Sequence, residues 1–321
     1  MILTLLVVAA LVLAGLAGLT MFGTAAIERH HPPRGTFVPV TGGRLHVADI
    51  GPRAGPADGL AVVLLHGASG NLEDMRVALG KVLSARRRVV MIDRPGHGFS
   101  GRPRGDQEAA PRRQAARVIE ALDALGIARA IVVGHSWSGA LATALALDAP
   151  ERVAGLALLA PVTHPWPGGI SWYYRVATTP VLGPLFVRTL VLPLGVLRLD
   201  AGSRQAFAPQ PRPDDYVERA ALALVLRPAE FRANAADVAA LKSNVAAQAP
   251  RYGTIGVPTV IITGDRDPTV SRKIHSEALA AALPHARLIV LPGVGHMVHH
   301  VASELIAAEI ERIATAATVR P

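Results

Sequence analysis

Residues 130–139 read Ala-Ile-Val-Val-Gly-His-Ser-Trp-Ser-Gly, and the reading of this stretch decides the fold. Four apolar residues, Ala130 to Val133, suit a short strand covered on both faces. A helical pattern starts at Gly139 and runs to Leu147. Between them Ser136 sits on a sharp strand-to-helix turn, where its backbone must be strained. Small residues two positions to either side, Gly134 and Ser138, relieve the crowding; Ser138 stands where a second glycine would be the simplest choice. The turn also aims the positive end of the following helix at Ser136, which favours developing negative charge there. In isolation Ser136 would read as a helix-capping serine. Its setting between strand and helix makes it a candidate nucleophile.

The same alternation extends outward. Ala61-Val62-Val63-Leu64-Leu65 ends in His66-Gly67, Val89-Val90-Met91-Ile92 ends in Asp93, Val257 to Thr263 ends in Gly264-Asp265, and Leu288-Ile289-Val290-Leu291 ends in Pro292-Gly293. Helical stretches such as Gln114 to Leu125 lie between them. This pattern predicts an α/β fold with a mostly parallel, doubly wound sheet and its ligands at the carboxyl ends of the strands. Phe37 to Val40 and Leu45 to Ile50, joined by Thr41-Gly42-Gly43, predict an antiparallel hairpin at one edge. The alternation stops over residues 165–250, rich in proline, alanine and leucine. That stretch is expected to be a helical cap inserted into a core made of residues 37–164 and 251–321. Val176 to Leu199 is apolar enough for a membrane span, but Pro180, Pro184, Pro193, Gly183, Gly195 and Arg188 interrupt it. Ordinary packing against the core and a channel or membrane-facing surface are both open for it.

Downstream of Ser136, Gly264-Asp265-Arg266-Asp267 and Gly295-His296 each follow a strand. Serine, aspartate and histidine in this chain order suit a hydroxyl that needs a base and a base that needs a carboxylate to hold its tautomer. Together with His66-Gly67-Ala68-Ser69-Gly70 and Asp93-Arg94-Pro95-Gly96-His97-Gly98-Phe99-Ser100, these motifs make the chain resemble the α/β-hydrolase superfamily, in its capped serine esterase-like branch, from about Gly35 to Ile313. The resemblance implies catalytic Ser136, His296 and Asp267, the acid lying three residues after Gly264, with Asp265 left to bond its local turn. It implies an oxyanion hole from the backbone N–H groups of Ala68 and Trp137, each donor contributing about 2.7–4 kcal/mol. His46, His97 and His135 read as satisfied structural residues, His299 and His300 as solvated or lipid-facing, and His164 as a candidate pocket residue at the cap entrance.

The implied reaction is hydrolysis of a carboxylic ester of a small or apolar substrate through an acyl-enzyme, with no metal or organic cofactor. Epoxide hydrolases and dehalogenases of this fold need an aspartate in place of Ser136 and are disfavoured. A carbon–carbon bond hydrolase of the meta-cleavage type is the alternative reaction. A non-enzymatic binding protein on the same fold is the alternative of another class, opposed by the intact serine, aspartate and histidine.

Residues 1–27 carry no charged side chain, and about 20 helical residues cross a bilayer core. A cleaved signal peptide with a site near Thr24-Ala25-Ala26 is the rival. However, no Lys or Arg precedes the run, and the run is long for a signal. The expectation is a transmembrane anchor over 1–27, a stiff connector over 28–36, and a single-pass protein of a bacterial inner membrane. The side is open, although Arg29 and Arg34 lean toward a cytoplasmic body.

Composition supports this frame. The chain has 321 residues, half of them hydrophobic, a net charge of +9 and no cysteine. There is ample material for a core, and no disulfide, thiolate metal site or cysteine nucleophile. The basic residues are scattered and not interleaved with aromatics, so nucleic acid is not an expected partner; a small-molecule ester and a lipid bilayer are.

Overall fold

The computed structural model describes residues 1–53, 58–283 and 285–319. Eight strands form one sheet: β1 Thr36–Val40, β2 Gly43–Ile50, β3 Ala61–Leu65, β4 Val89–Ile92, β5 Ala130–His135, β6 Val153–Leu159, β7 Thr259–Gly264 and β8 Ala286–Leu291. Their order is β1-β2-β4-β3-β5-β6-β7-β8. β1 and β2 run antiparallel, as do β2 and β4, and every other neighbouring pair is parallel. The edge hairpin closes with Val40 opposite Gly43, and Gly42 supplies the positive φ (82°) its two-residue turn needs.

Apolar runs without alternation become strands buried at every position, as in β3, β4 and β5. Helices α2 (Pro111–Ala124) and α3 (Ser138–Asp148) contribute to the core on one face, while α8 (Ser303–Val319) and residues 72–83 cover the other. Strand β6 was not among the expected strands. Its sequence, Val-Ala-Gly-Leu-Ala-Leu-Leu, has helix-forming rather than β-branched composition, yet all seven residues are buried. Tertiary cover overrides local propensity here. Gly155 is required because any Cβ would collide with Ile313 of α8.

Between β6 and β7 the chain is helical: α4 Trp172–Ala177, α5 Leu182–Thr189, α6 Val191–Phe207 and α7 Pro228–Gln248 are its main helices. The apolar stretch 176–199 is divided, and α5 and α6 meet at a 63° bend. Pro184 and Pro193 fall in the first turns of their helices, where no intrahelical N–H bond is lost. Helix α7 crosses near the carboxyl ends of β3 and β5, where Trp137 Nε1–H donates to the Asp237 carbonyl over 3.1 Å. The N-terminal helix α1, Ile2–His30, is long and apolar enough to cross a membrane, with a mean hydropathy of 2.7 over its most apolar window. Its later turns pack on α5, α6 and residues 222–226.

Candidate active site

Ser136 follows the last residue of β5 and takes φ +52°, in the left-handed region that most L-residues avoid. The local sequence makes this turn available. A Cβ at position 134 would collide with the Ser138 carbonyl oxygen, and one at position 139 with the Pro161 ring, so both must be glycine. Ser138 is more than a small residue, because its hydroxyl donates to the His66 carbonyl at 2.5 Å and ties the turn to the loop after β3.

His296 and Asp267 come together from the loops after β8 and β7. His296 Nδ1–H donates to Asp267 Oδ2 at 2.7 Å, with side-chain exposures of only 7% and 1%. Asp267 Oδ1 also accepts from the backbone N–H groups of Thr269 (2.7 Å) and Val270 (2.9 Å). These bonds hold the carboxylate in place and fix His296 as the Nδ1–H tautomer, which leaves Nε2 as an acceptor. No hydrogen bond joins Ser136 Oγ to His296 among the described residues. Resting geometries of such pairs are often loose. The neighbourhood is shared all the same: His135 lies 4.8 Å ring to ring from His296 and donates from Nε2 to the His296 carbonyl at 3.3 Å. Asp265 faces away and accepts from Gly293 N–H at 2.6 Å.

The backbone N–H groups of Ala68 and Trp137 have no hydrogen-bond acceptor among the described residues. Gly67 allows the two turns to close, since a Cβ there would lie 3.1 Å from Ser136 Cβ. Several residues that sequence reasoning did not assign to the site brace this region. Arg94, fully buried, donates to the carbonyls of His66 and Gly67 (3.2 Å each) and to Asp237 Oδ2 (2.6 Å), and its guanidinium lies 4.0 Å over the Trp137 ring. Asn234 accepts from Ser69 N–H at 2.7 Å. Gln210 accepts from Gly295 N–H (2.9 Å) and donates to Gly293 O (2.7 Å), fixing the turn that carries His296. Arg94 lay in a quoted motif. Asn234, Asp237 and Gln210 had no local signal, because their partners are far away in sequence.

The histidines divide by partner. His66 is neutral, its pKa pushed down to about 3 by burial and then by Arg94; Nδ1–H donates to Gly67 O and Nε2 accepts from Arg94 N–H. His46 pairs with Asp93 at 2.7 Å, and His97 is buried beside Arg94. His164 is half-buried; its polar partners are Thr163 and His275, not the Ser136, His296 and Asp267 group. The expectation for His299 and His300 fails. The short helix Val298–Val301 turns inward, and both rings donate from Nε2 to Asp74, at 3.0 and 2.8 Å. Tyr216 OH donates to the same carboxylate at 2.9 Å. Burial alone would raise the Asp74 pKa, but the two imidazoles outweigh it and hold the carboxyl well below its ordinary range. A buried carboxylate needs such donors, which is why these rings are neither solvated nor lipid-facing.

Comparison with known proteins agrees with the fold. The family model described as "alpha/beta hydrolase fold" matches residues 61–303. The chain is 31% identical over 256 residues to the 2-hydroxymuconate semialdehyde hydrolase of Pseudomonas putida, covering 74% of this chain and 81% of that one. It is 28% identical over 260 residues, 78% of its length, to the dihydrolipoyllysine-residue acetyltransferase component of the acetoin cleaving system of the same organism, spanning 62% of that protein. The enol-lactonase of Burkholderia xenovorans LB400 shares the fold, with a TM-score of 0.69, 24% identity, and coverage of 87% of this chain and 100% of that one. The chain belongs to the alpha/beta hydrolase fold family.

Proposed function

We propose that this hydrolase-family protein cleaves carboxylic esters through an acyl-enzyme on Ser136, with His296 as base and Asp267 as its orienting acid. The observation that carries the reading is the buried 2.7 Å bond from His296 Nδ1 to Asp267, which leaves His296 Nε2 as an acceptor while its ring packs on His135, the residue before a serine in left-handed backbone. In the forward step Ser136 Oγ attacks the ester carbonyl carbon while His296 Nε2 takes the hydroxyl proton. The tetrahedral oxyanion is met by the N–H groups of Ala68 and Trp137. Collapse expels the alcohol, which receives the proton from His296. Water, deprotonated by the same histidine, then cleaves the acyl-enzyme. The insertion over the strand ends serves as the cap in this reading, and His164 lines its entrance.

Helix α1 is the anchor. Its uncharged run supports a protein held at a membrane, and an apolar ester is the substrate class that fits such a place. The likeness to 2-hydroxymuconate semialdehyde hydrolase favours a second reading, in which the same serine cleaves a carbon–carbon bond. The test is labelling of the full-length protein with a fluorophosphonate, alongside turnover of p-nitrophenyl esters of increasing chain length. Wild-type protein should label and turn over, and Ser136→Ala should do neither, with a loss of about 10⁴-fold or more in kcat. An unlabelled wild-type protein would sink the nucleophile assignment. Labelling without ester turnover, together with cleavage of a meta-cleavage diketone, would select the second reaction.

A further inference from the structure

Helix α1 carries no charge before Glu28, and its free face stays apolar well into the part that packs on the body: Leu19 is 53% exposed, Met21 62% and Phe22 71%. The opposite face is covered by α5, α6 and residues 222–226. Thr20 is buried, and Gly23 admits α6 so closely that a Cβ there would lie 2.9 Å from Leu192 Cδ2. The insertion therefore meets α1 beside its uncharged turns, not beyond them. If hydrocarbon stopped below the insertion, residues 16–27, about 18 Å of helix, would stand in water with Leu19, Met21 and Phe22 outermost. A layer deep enough to cover those side chains reaches the level of Leu192.

At that level the insertion is itself apolar and uncovered. Val181 is 80% exposed and Leu197 78%, and Leu182, Leu185, Leu194 and Val196 are exposed with them. They come from α5, the residue before it and the first two turns of α6, whose 63° bend is too sharp for one straight span. No Asp or Glu occurs between Arg152 and Asp200, whereas Arg188 and Arg198 are exposed on the same helices. An apolar face rimmed by arginine, whose one flanking carboxylate on α6, Asp200, is already paired with Arg204 and Arg212, is complementary to an anionic lipid surface.

We propose that the α5–α6 corner is a membrane-insertion surface that enters the same leaflet as the body end of α1, with Arg188 and Arg198 at lipid phosphates. The proposal rests on α1 being an anchor and adds that the body is docked on the bilayer rather than swinging from a tether. It also brings the site near the lipid phase. An aromatic wall leads inward from exposed Trp172 through Phe186 (6.0 Å), Phe231 (6.4 Å) and Tyr174 (6.1 Å), and Tyr174 OH lies 3.2 Å from Ser69 Oγ, next to the Ala68 donor.

The chain has no cysteine, so single cysteines can carry a fluorescent probe without background. Full-length Val181→Cys, Leu197→Cys, Phe22→Cys and Arg86→Cys would be labelled and reconstituted in vesicles of phosphatidylcholine and phosphatidylglycerol. Spin-labelled lipid and aqueous iodide then serve as opposing quenchers. Probes at 181 and 197 should be quenched by lipid as strongly as the probe at 22, and the probe at 86, before β4, only by iodide. If 22 is quenched by lipid but 181 and 197 follow 86, the anchor stands and the insertion surface is refuted. If 22 also follows 86, the anchor reading fails and takes this proposal with it.

Discussion

Replacing Asp267 by Asn removes one charge while keeping the shape. The side-chain oxygen can still accept from Thr269 and Val270 N–H, so the loop keeps its two bonds of 2.7 and 2.9 Å. The other end of the group changes from an acceptor to an NH₂ donor, and it faces His296 Nδ1 at 2.7 Å. To avoid two opposed hydrogens the ring must take the Nε2–H tautomer, whose Nε2 cannot accept the Ser136 proton. In the proposed mechanism the imidazolium formed in the transition state also loses its carboxylate. Loss of the tautomer in a triad of this kind costs about 10⁴ in kcat, equivalent to about 5.5 kcal/mol. Asp265→Asn is the internal control, since among the described residues the Asp265 side chain accepts from Gly293 N–H and has no hydrogen bond to His296 or Ser136. It should lower stability by about 1 kcal/mol and leave kcat within a few-fold of wild type. Steady-state hydrolysis of a short p-nitrophenyl ester gives kcat, and thermal melts by circular dichroism report the fold. A near-normal kcat for Asp267→Asn, or a larger loss at Asp265 than at Asp267, would refute the assignment of the acid.

Two further outcomes concern stability. Asp74→Ala leaves the donors of His299, His300 and Tyr216 unpaired in a buried site. It should cost about 3–5 kcal/mol by chemical denaturation, and a loss below about 1 kcal/mol would show the network to be dispensable. Acid should destabilise the protein below pH 6.5. His66 and His275, lowered by burial to about 3 and about 4, stay neutral in the fold but bind a proton when unfolded. Their contribution is complete above pH 6.5, and each removes about 1.4 kcal/mol per pH unit as pH falls toward its folded value. His97 and His135 are shifted in the same direction. Glu230, raised to about 7 by burial, works the opposite way between pH 7 and 4.5. A urea midpoint that stays flat or rises from pH 6.5 to 4 would contradict this account.

Most of the frame was legible from local pattern. Seven of the eight strands lie in runs whose apolar continuity or hairpin turn marks them, and Ser136, Asp267 and His296 all follow strand ends. Such signals are local, since a buried strand must be apolar and a strained turn needs small neighbours. Strand β6 escaped because its Ala, Gly and Leu residues extend only when β5, β7 and α8 surround them. His299 and His300 were misread for a related reason. A histidine on a short helix looks solvated until the fold brings Asp74 to it from 225 and 226 residues away.

The sequence by itself determined the α/β alternation, the order of serine, aspartate and histidine, the uncharged N-terminal run and the proline breaks of the insertion. Each is written within one element or one turn, where chain geometry and burial act on neighbours. Only the tertiary structure decided which carboxylate meets His296, how Arg94 and Asp237 brace the turn of Ala68, and that α1 packs its later turns against α5 and α6. It also left Val181 and Leu197 uncovered, which the apolar sequence alone could not separate from buried packing. These outcomes depend on contacts between distant segments, and a contact of that kind exists only once the sheet has set the positions of the loops that make it.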